Sequence, residues 1–167
     1  GLVAFSWPIG TTPPSGTIPG DKPANPTNSA SASFSFSASD PTQCKLDGGE
    51  FTACTSPATY SGLADGPHTF TVKATDAASN TAADSYTWTV DATAPTAAIV
   101  GGPAALSNTR SPTFTFTASE PTQCKLDDGA FAACTSPRGY SNLADGEHTF
   151  TVKATDTAGN TSQDAYT

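Results

Sequence analysis

The chain has 167 residues, including 28 threonines, 18 serines, 14 glycines and 14 prolines, and its formal net charge at pH 7 is -8. Phosphate backbones repel a chain this acidic, and no apolar run reaches the roughly 20 residues that span a bilayer, so we expect neither nucleic-acid binding nor a membrane span. Small, β-branched and turn-forming residues at this level are typical of extracellular all-β proteins.

A single segment occurs twice along the chain. Residues 41–87 return as residues 121–167, and 35 of the 47 aligned positions are identical. Each repeat is long enough to bury a small core, so we predict two tandem β-sandwiches of the Ig-like or fibronectin-III-like type, with an extra N-terminal strand. The predicted segments are residues 1–10 for the donor-like strand, 11–91 for the first domain and 92–167 for the second, whose last strand is incomplete.

Apolar residues alternate with serine or threonine along the predicted strands of both repeats. This period of two indicates strands with one face in a core and the other in water. Glycine-containing turns separate these strands at the spacing of an all-β domain. The predicted core residues are Phe34, Phe36, Phe70, Val72, Tyr86, Trp88, Val90, Phe114, Phe116, Phe150 and Val152.

The cysteines predict one disulfide in each repeat. Four cysteines allow three pairings, but each repeat has its own pair, Cys44 with Cys54 and Cys124 with Cys134. A turn at Gly48-Gly49 lies between the first two, so they can face each other across a hairpin. Their spacing differs from the close C-x₂-C pairs of zinc sites. Paired cysteines indicate an oxidising, extracellular compartment.

Two motifs carry a family resemblance. They are C-K-L-D-G-G-x-F-x-A-C-T-S-P, beginning at Cys44, and Y-S-G-L-A-D-G-x-H-T-F-T-V-K-A-T-D-x-A-x-N, beginning at Tyr60. Together with the Y-T-W-T-V-D strand and T-A-P linker of residues 86–95, they resemble the bacterial Ig-like repeat of large secreted and surface-anchored proteins. The resemblance implies an extracellular stalk, spacer or adhesive module and names no ligand.

The sequence offers no constellation for catalysis. Nucleophile-elbow, HExxH and P-loop motifs are missing, and the histidines, His68 and His148, occur once per repeat at equivalent positions. We therefore expect a non-enzymatic protein without a cofactor, in which both histidines have structural roles.

The loops that contain TDAASN and TDTAGN are weak candidates for calcium, through Asp76 and Asn80 in the first repeat and Asp156 and Asn160 in the second. The same residues form ordinary turns equally well, so we predict no metal site. Asn160 also begins an Asn-Thr-Ser sequon, which makes it a candidate for glycosylation.

The two ends of the chain suggest a mode of assembly. FSWPIGTTPP (residues 5–14) matches YTWTVDATAP (residues 86–95), so the first residues resemble the last strand of a preceding domain, whereas the second domain stops at Ala165-Tyr166-Thr167. Strand addition from another chain would complete such a sheet. The expected donor side chains are Val3, Phe5, Trp7 and Ile9. Different donor and acceptor surfaces give a head-to-tail homopolymer, a pilus-like surface filament.

Two features oppose this hypothesis. Residues 163–167 already occupy positions that the donor would need, and Pro8 cannot donate a ladder hydrogen bond. The alternative is a fragment of a long tandem-Ig surface adhesin that acts as a stalk or binding module. Host or environmental surfaces and glycans are further expected partners, with Tyr60 and Tyr140 as weak aromatic candidates for contacting them.

Overall fold

The computed structural model describes residues 10–167 and contains only β-structure within them, as the alternating pattern predicts. Contacts divide the chain into two compact units, with the boundary between Asp91 and Ala92. The described part contains no helix able to cross a membrane. The predicted donor residues Val3, Phe5, Trp7 and Ile9 lie outside the described residues.

Unit 1 contains three antiparallel sheets. The strands are β1 (Gly16–Thr17), β2 (Ser31–Phe34), β3 (Ser37–Ala38), β4 (Thr42–Leu46), β5 (Thr52–Ala53), β6 (Ala58–Ser61), β7 (Gly66–Thr75) and β8 (Thr81–Val90). They form sheets with the orders β5-β4-β7-β8, β2-β6 and β1-β3. The longest pairing joins β7 to β8 over ten residues on each strand.

Unit 2 contains two antiparallel sheets, and the counterparts of β7 and β8 have six residues each. Its sheets have the orders β12-β11-β14-β15 and β13-β10-β9, and all of these pairings are antiparallel. The strands are β9 (Ala97–Gly101), β10 (Thr113–Ala118), β11 (Thr122–Leu126), β12 (Ala132–Cys134), β13 (Arg138–Gly139), β14 (Phe150–Thr155) and β15 (Thr161–Tyr166).

Stacked phenyl rings lie at the centre of each core. Phe34 of β2 stacks on Phe70 of β7 with ring centroids 4.2 Å apart, and Phe114 of β10 stacks on Phe150 of β14 at 4.3 Å. In both units the two rings belong to different sheets, so the sheets share one core. Burial of each ring contributes about 1.5–3 kcal/mol.

The predicted strand through Phe34 and Phe36 is interrupted in unit 1. β2 ends at Phe34, and the amide of Phe36 donates to Ser56 Oγ at 2.9 Å instead of to a neighbouring strand. In unit 2 the equivalent residue, Phe116, makes the same 2.9 Å bond to Ser136, but there the strand continues through a register shift. Period two alone does not reveal this side-chain competition for the backbone amide.

Both predicted disulfides are present, Cys44–Cys54 and Cys124–Cys134. The two cysteines of a pair are not at directly opposite positions of the hairpin, because Cys44 is opposite Thr52. The cysteines are symmetric about Gly49, whereas the pairing register is centred on Gly48. Each disulfide is therefore diagonal, with Cα atoms 5.7 Å apart, a separation within the range that a disulfide spans.

Candidate functional site

Each histidine fastens two turns together. His68 Nδ1 lies 2.8 Å from Asp47 Oδ2, and its Nε2 lies 2.8 Å from the carbonyl oxygen of Ala64. Asp47 Oδ1 accepts the amide of Thr69 at 2.7 Å. Both ring nitrogens thus face acceptors, an arrangement that only the imidazolium satisfies completely. The Ala64 carbonyl and the Asp47 carboxylate together raise the pKa of His68.

The same arrangement recurs in unit 2. His148 Nδ1 lies 2.8 Å from Asp127 Oδ2, and Nε2 lies 3.0 Å from the carbonyl oxygen of Ala144. The Asp127 carboxylate and then the Ala144 carbonyl raise the pKa of His148. We call each arrangement a His–Asp clamp. In unit 1 it joins the hairpin turn after β4 to the turn before β7, and in unit 2 it joins the two corresponding turns.

The carboxylates proposed for calcium accept hydrogen bonds within their own turns. Asp76 Oδ1 accepts the amides of Ala78 and Asn80, and its Oδ2 accepts from Asn80 Nδ2, all at 2.8 Å. The hydrogen bond from the Asn80 side chain lowers the pKa of Asp76. Asp156 and Asn160 form the corresponding bonds, so the Asn160 side-chain nitrogen is engaged as well. Over residues 10–167, no group of three or more His, Cys, Asp or Glu side chains could hold a metal ion.

The two tyrosines considered for ligand contacts line the cores. Tyr60 packs edge-on to Phe34 with ring centroids 6.4 Å apart, and Tyr140 packs likewise against Phe114 at 6.3 Å. Burial raises the pKa of Tyr60. Both rings are thus partly buried against the cores.

In unit 1, the end of β8 is enclosed on both sides. Trp88 is fully buried, with its ring 5.0 Å from that of Phe34 and 5.6 Å from that of His68. On one side β8 pairs with β7, with Trp88 opposite His68. On the other side the Thr27 amide donates to the Thr89 carbonyl at 3.0 Å. The strand end thus lies between two backbone edges.

In unit 2, a cavity of about 340 Å³ occupies the corresponding place. Its walls include Phe114, Tyr166 and His148, the counterparts of the three rings that contact Trp88 in unit 1. Trp88 and Val90 lie in the part of β8 that follows the residues equivalent to β15. We call this cavity the strand-binding groove. Its other lining residues used below are Ala105, Ser107, Gly146, Glu147 and Thr167.

The predicted acceptor residues lie where β15 meets this groove. Ala165 pairs with Thr151, and Tyr166 pairs with Phe150. The Tyr166 hydroxyl donates to the carbonyl of Pro103, and Thr167 Oγ1 lies 3.0 Å from Thr149 Oγ1. These bonds hold the end of β15 in its sheet, directly beside the opening.

One edge of the groove lacks the regular strand structure of its counterpart in unit 1. β7 begins at Gly66, whereas β14 begins at Phe150, so residues 146–149 are not in a strand. In unit 1 the residues at these positions pair with the end of β8. The groove therefore has one backbone edge in residues 146–149 and another at Ala105 and Ser107.

No protein-family model and no curated protein matches this chain. Alignment of the two repeats predicts the place of the groove, because Trp88 aligns with a position that follows β15. It did not reveal the His–Asp clamps, whose Asp and His are 21 residues apart and meet only through the strand register.

Proposed function

We propose that this chain is a non-enzymatic extracellular structural protein whose copies join head to tail into a surface filament by donor-strand complementation. Each copy would carry two Ig-like β-sandwiches in tandem. The observation that carries the proposal is the open strand-binding groove of unit 2, at the place where unit 1 buries Trp88. The two disulfides support an oxidising, extracellular setting.

The sandwich assignment draws support from the sheets themselves. In each unit, antiparallel sheets share one core of inward-facing aromatic residues, and serine and threonine occupy many of the outward positions. Two sheets packed face to face in this way are the general plan of Ig-like domains.

The sequence of the first residues fits the groove. Trp7-Pro8-Ile9 aligns with Trp88-Thr89-Val90, the segment that closes unit 1. In the proposed complex the Trp7 indole lies among Phe114, Tyr166 and His148, as Trp88 lies among their counterparts. Burial of Trp7 and Ile9 would contribute about 1.5–3 kcal/mol each.

Pro8 suits this groove better than a threonine would. In unit 1 the Thr89 amide donates to Asn25 Oδ1 at 3.0 Å, and the residue equivalent to Asn25 in unit 2 is Ala105. An amide at this position would lose that acceptor, whereas proline has no amide hydrogen to satisfy. The absence of a donor in Pro8 thus matches the absence of a side-chain acceptor in Ala105.

The overlap between donor and host strands limits the donor to its last residues. Tyr166 holds the position that Phe5 would need, and its pairing and hydroxyl bond keep it there. The donor therefore contributes Trp7 and Ile9 to the groove, while Val3 and Phe5 remain outside it. Since donor and groove are different surfaces, each added copy leaves a new groove open, and the assembly is an open filament.

The first test compares single substitutions in the donor. Trp7→Ala empties the groove of its largest side chain, so we expect filaments to disappear from electron micrographs and light scattering to report monomers. Phe5→Ala is the matched control and leaves assembly unchanged. Filaments formed equally well by Trp7→Ala would contradict the proposal. So would a native intact mass corresponding to one covalent chain of many repeats, in which following residues fill the groove.

A second test exchanges the matched pair across the interface. Pro8→Thr alone introduces an amide without an acceptor and should raise the critical concentration for assembly several-fold. Adding Ala105→Asn recreates the unit 1 arrangement and should restore assembly. Identical critical concentrations for Pro8→Thr with and without Ala105→Asn would remove Ala105 from the interface.

A further inference from the structure

Lysines are concentrated at two equivalent places in this acidic chain. Four of the five lysines surround just two phenyl rings. Lys45 Nζ lies 5.0 Å and Lys73 Nζ 4.3 Å from the ring centroid of Phe51. In unit 2 the corresponding distances, from Lys125 and Lys153 to Phe131, are 5.4 and 4.4 Å.

The cross-strand partners of these lysines are neutral. Cys44 and Val72 are buried, so Lys45 and Lys73 project from the opposite face. Register places Gln43 and Ala83 beside Lys73, and Thr71 beside Lys45. The equivalent neighbours in unit 2 are Gln123, Gln163 and Thr151. We call each set of two lysines, the phenyl ring and the neighbouring glutamine and threonine a cationic face.

Both ammonium groups of a cationic face lie near the same ring, and neither forms an ion pair with a carboxylate of residues 10–167. They approach one ring centroid, so their separation is at most the sum of the two distances above. Ion pairs within residues 10–167 involve His68, Arg110 and His148, and none of these lysines. The ring offsets part of the repulsion between the cations, since its π face is negative. An anion paired with either ammonium group would offset that repulsion further.

The net charge of -8 opposes the approach of a polyanion at long range. At physiological ionic strength, charges more than about 8 Å apart are largely screened, so an anion in contact with a lysine interacts mainly with that lysine and its immediate neighbours. The neighbouring glutamine amide and threonine hydroxyl can hydrogen-bond to uncharged hydroxyl groups. A ligand suited to this surface therefore combines an anionic group with many hydroxyls.

We infer that each cationic face binds an anionic polysaccharide, whose carboxylate or sulfate groups pair with the lysines of that face. The same face occurs in both units, so each chain offers two equivalent binding faces. This surface involves no residue of the strand-binding groove.

The test measures binding of the full chain by calorimetry to four polymers. Polygalacturonate supplies carboxylates, dextran sulfate supplies sulfates, dextran is the neutral control, and duplex DNA tests for indiscriminate attraction to polyanions. We expect saturable binding to at least one of the two anionic polysaccharides that weakens as salt rises, and none to dextran. The anion that binds identifies the recognised group.

Substitutions then locate the site. Lys73→Gln combined with Lys153→Gln should weaken binding at least tenfold while leaving filament assembly unchanged. Lys22→Gln is the matched control, because Lys22 also lies over a ring, 4.6 Å from the centroid of Tyr86, but outside both cationic faces. Absence of saturable binding to both anionic polysaccharides, equal weakening by Lys22→Gln, or DNA binding of equal strength would overturn the inference. Urea unfolding confirms that each variant is folded.

Discussion

At the level of single residues, the imidazole of each unit is held by two acceptors at once. The side chain of His68 is only 13% exposed, and it lies against the fully buried Trp88. Burial raises the pKa of Asp47, but the hydrogen bonds from His68 and the Thr69 amide outweigh it, so the net direction is downward. Charged imidazolium and charged carboxylate therefore support each other at the same turn.

The clamp gives stability a defined dependence on pH. Because the pKa of folded His68 is raised above its ordinary 6.5, its stabilising effect is complete below pH 6.5 and disappears as pH rises through the raised pKa. The contribution of Asp47 is complete above its ordinary 3.8 and disappears as pH falls through the lowered pKa. The clamp is thus strongest at about pH 4–6.5.

Urea unfolding of wild type and the His68→Ala/His148→Ala variant tests this dependence. The stability difference between them should be larger at pH 5.5 than at pH 8.5. Assembly is removed from the comparison by carrying Trp7→Ala in both chains. A difference that grows towards pH 8.5 would contradict the imidazolium assignment.

At the level of elements, the two units differ in how far their central strands extend. β7 has ten residues and β14 has six, although the sequences of the two segments are nearly the same. The additional residues of β7 pair with the end of β8. The backbone amides and carbonyls of a strand need partners in a neighbouring strand, so the presence of such a neighbour determines the length of β14 more than the local sequence does.

Filling the strand-binding groove should therefore lengthen β14. We expect a peptide with the sequence of residues 1–10, added to the Trp7→Ala chain, to slow amide hydrogen exchange at His148, the counterpart of the residue that pairs with Trp88 in unit 1. The same peptide with alanine in place of its tryptophan is the control and should give no protection. Protection confined to unit 1 would place the peptide elsewhere.

The hairpin disulfides act at the same scale. Cys44 and Cys54 close a loop with a sequence separation of 10, for which loop entropy predicts about 2–3 kcal/mol of stabilisation. Cys44→Ala/Cys54→Ala should lower the unfolding free energy of unit 1 by that amount, measured by urea titration in the Trp7→Ala background. The equivalent pair of substitutions in unit 2 is the matched comparison. A loss well below 1 kcal/mol would indicate that the hairpin register alone holds the loop.

Across the whole molecule, the sequence pattern predicted those features that depend on residues within one strand or on comparison of the two repeats. It identified the all-β class, the buried positions of Phe70 and Phe150, and the cysteine pairs. It missed features that require the register between strands, such as the diagonal disulfides and the contact of Lys45 and Lys73 with one ring. The proposed role of Ala105 likewise follows only from the hydrogen bond that the Thr89 amide donates to Asn25 Oδ1 in unit 1.

Unequal closure of the two units predicts unequal stability in the unassembled protein. Unit 1 buries Trp88 and Val90, while the corresponding place in unit 2 is open. Calorimetry of the Trp7→Ala chain should show two transitions, the lower one belonging to unit 2. Assembly of the wild-type chain should raise this lower transition, because a ligand that binds only the folded state stabilises it.

Trp88→Ala provides the internal control for that assignment. Emptying a fully buried site costs about 3–5 kcal/mol, so this variant should lower the transition of unit 1 and leave that of unit 2 unchanged. The backbone of β8 remains in place, and the Thr89 amide still donates to Asn25 Oδ1, so no donor strand can enter unit 1 and filaments should still grow through unit 2. A lower transition that falls with Trp88→Ala, or that assembly leaves unchanged, would mean that the groove of unit 2 is not what limits its stability.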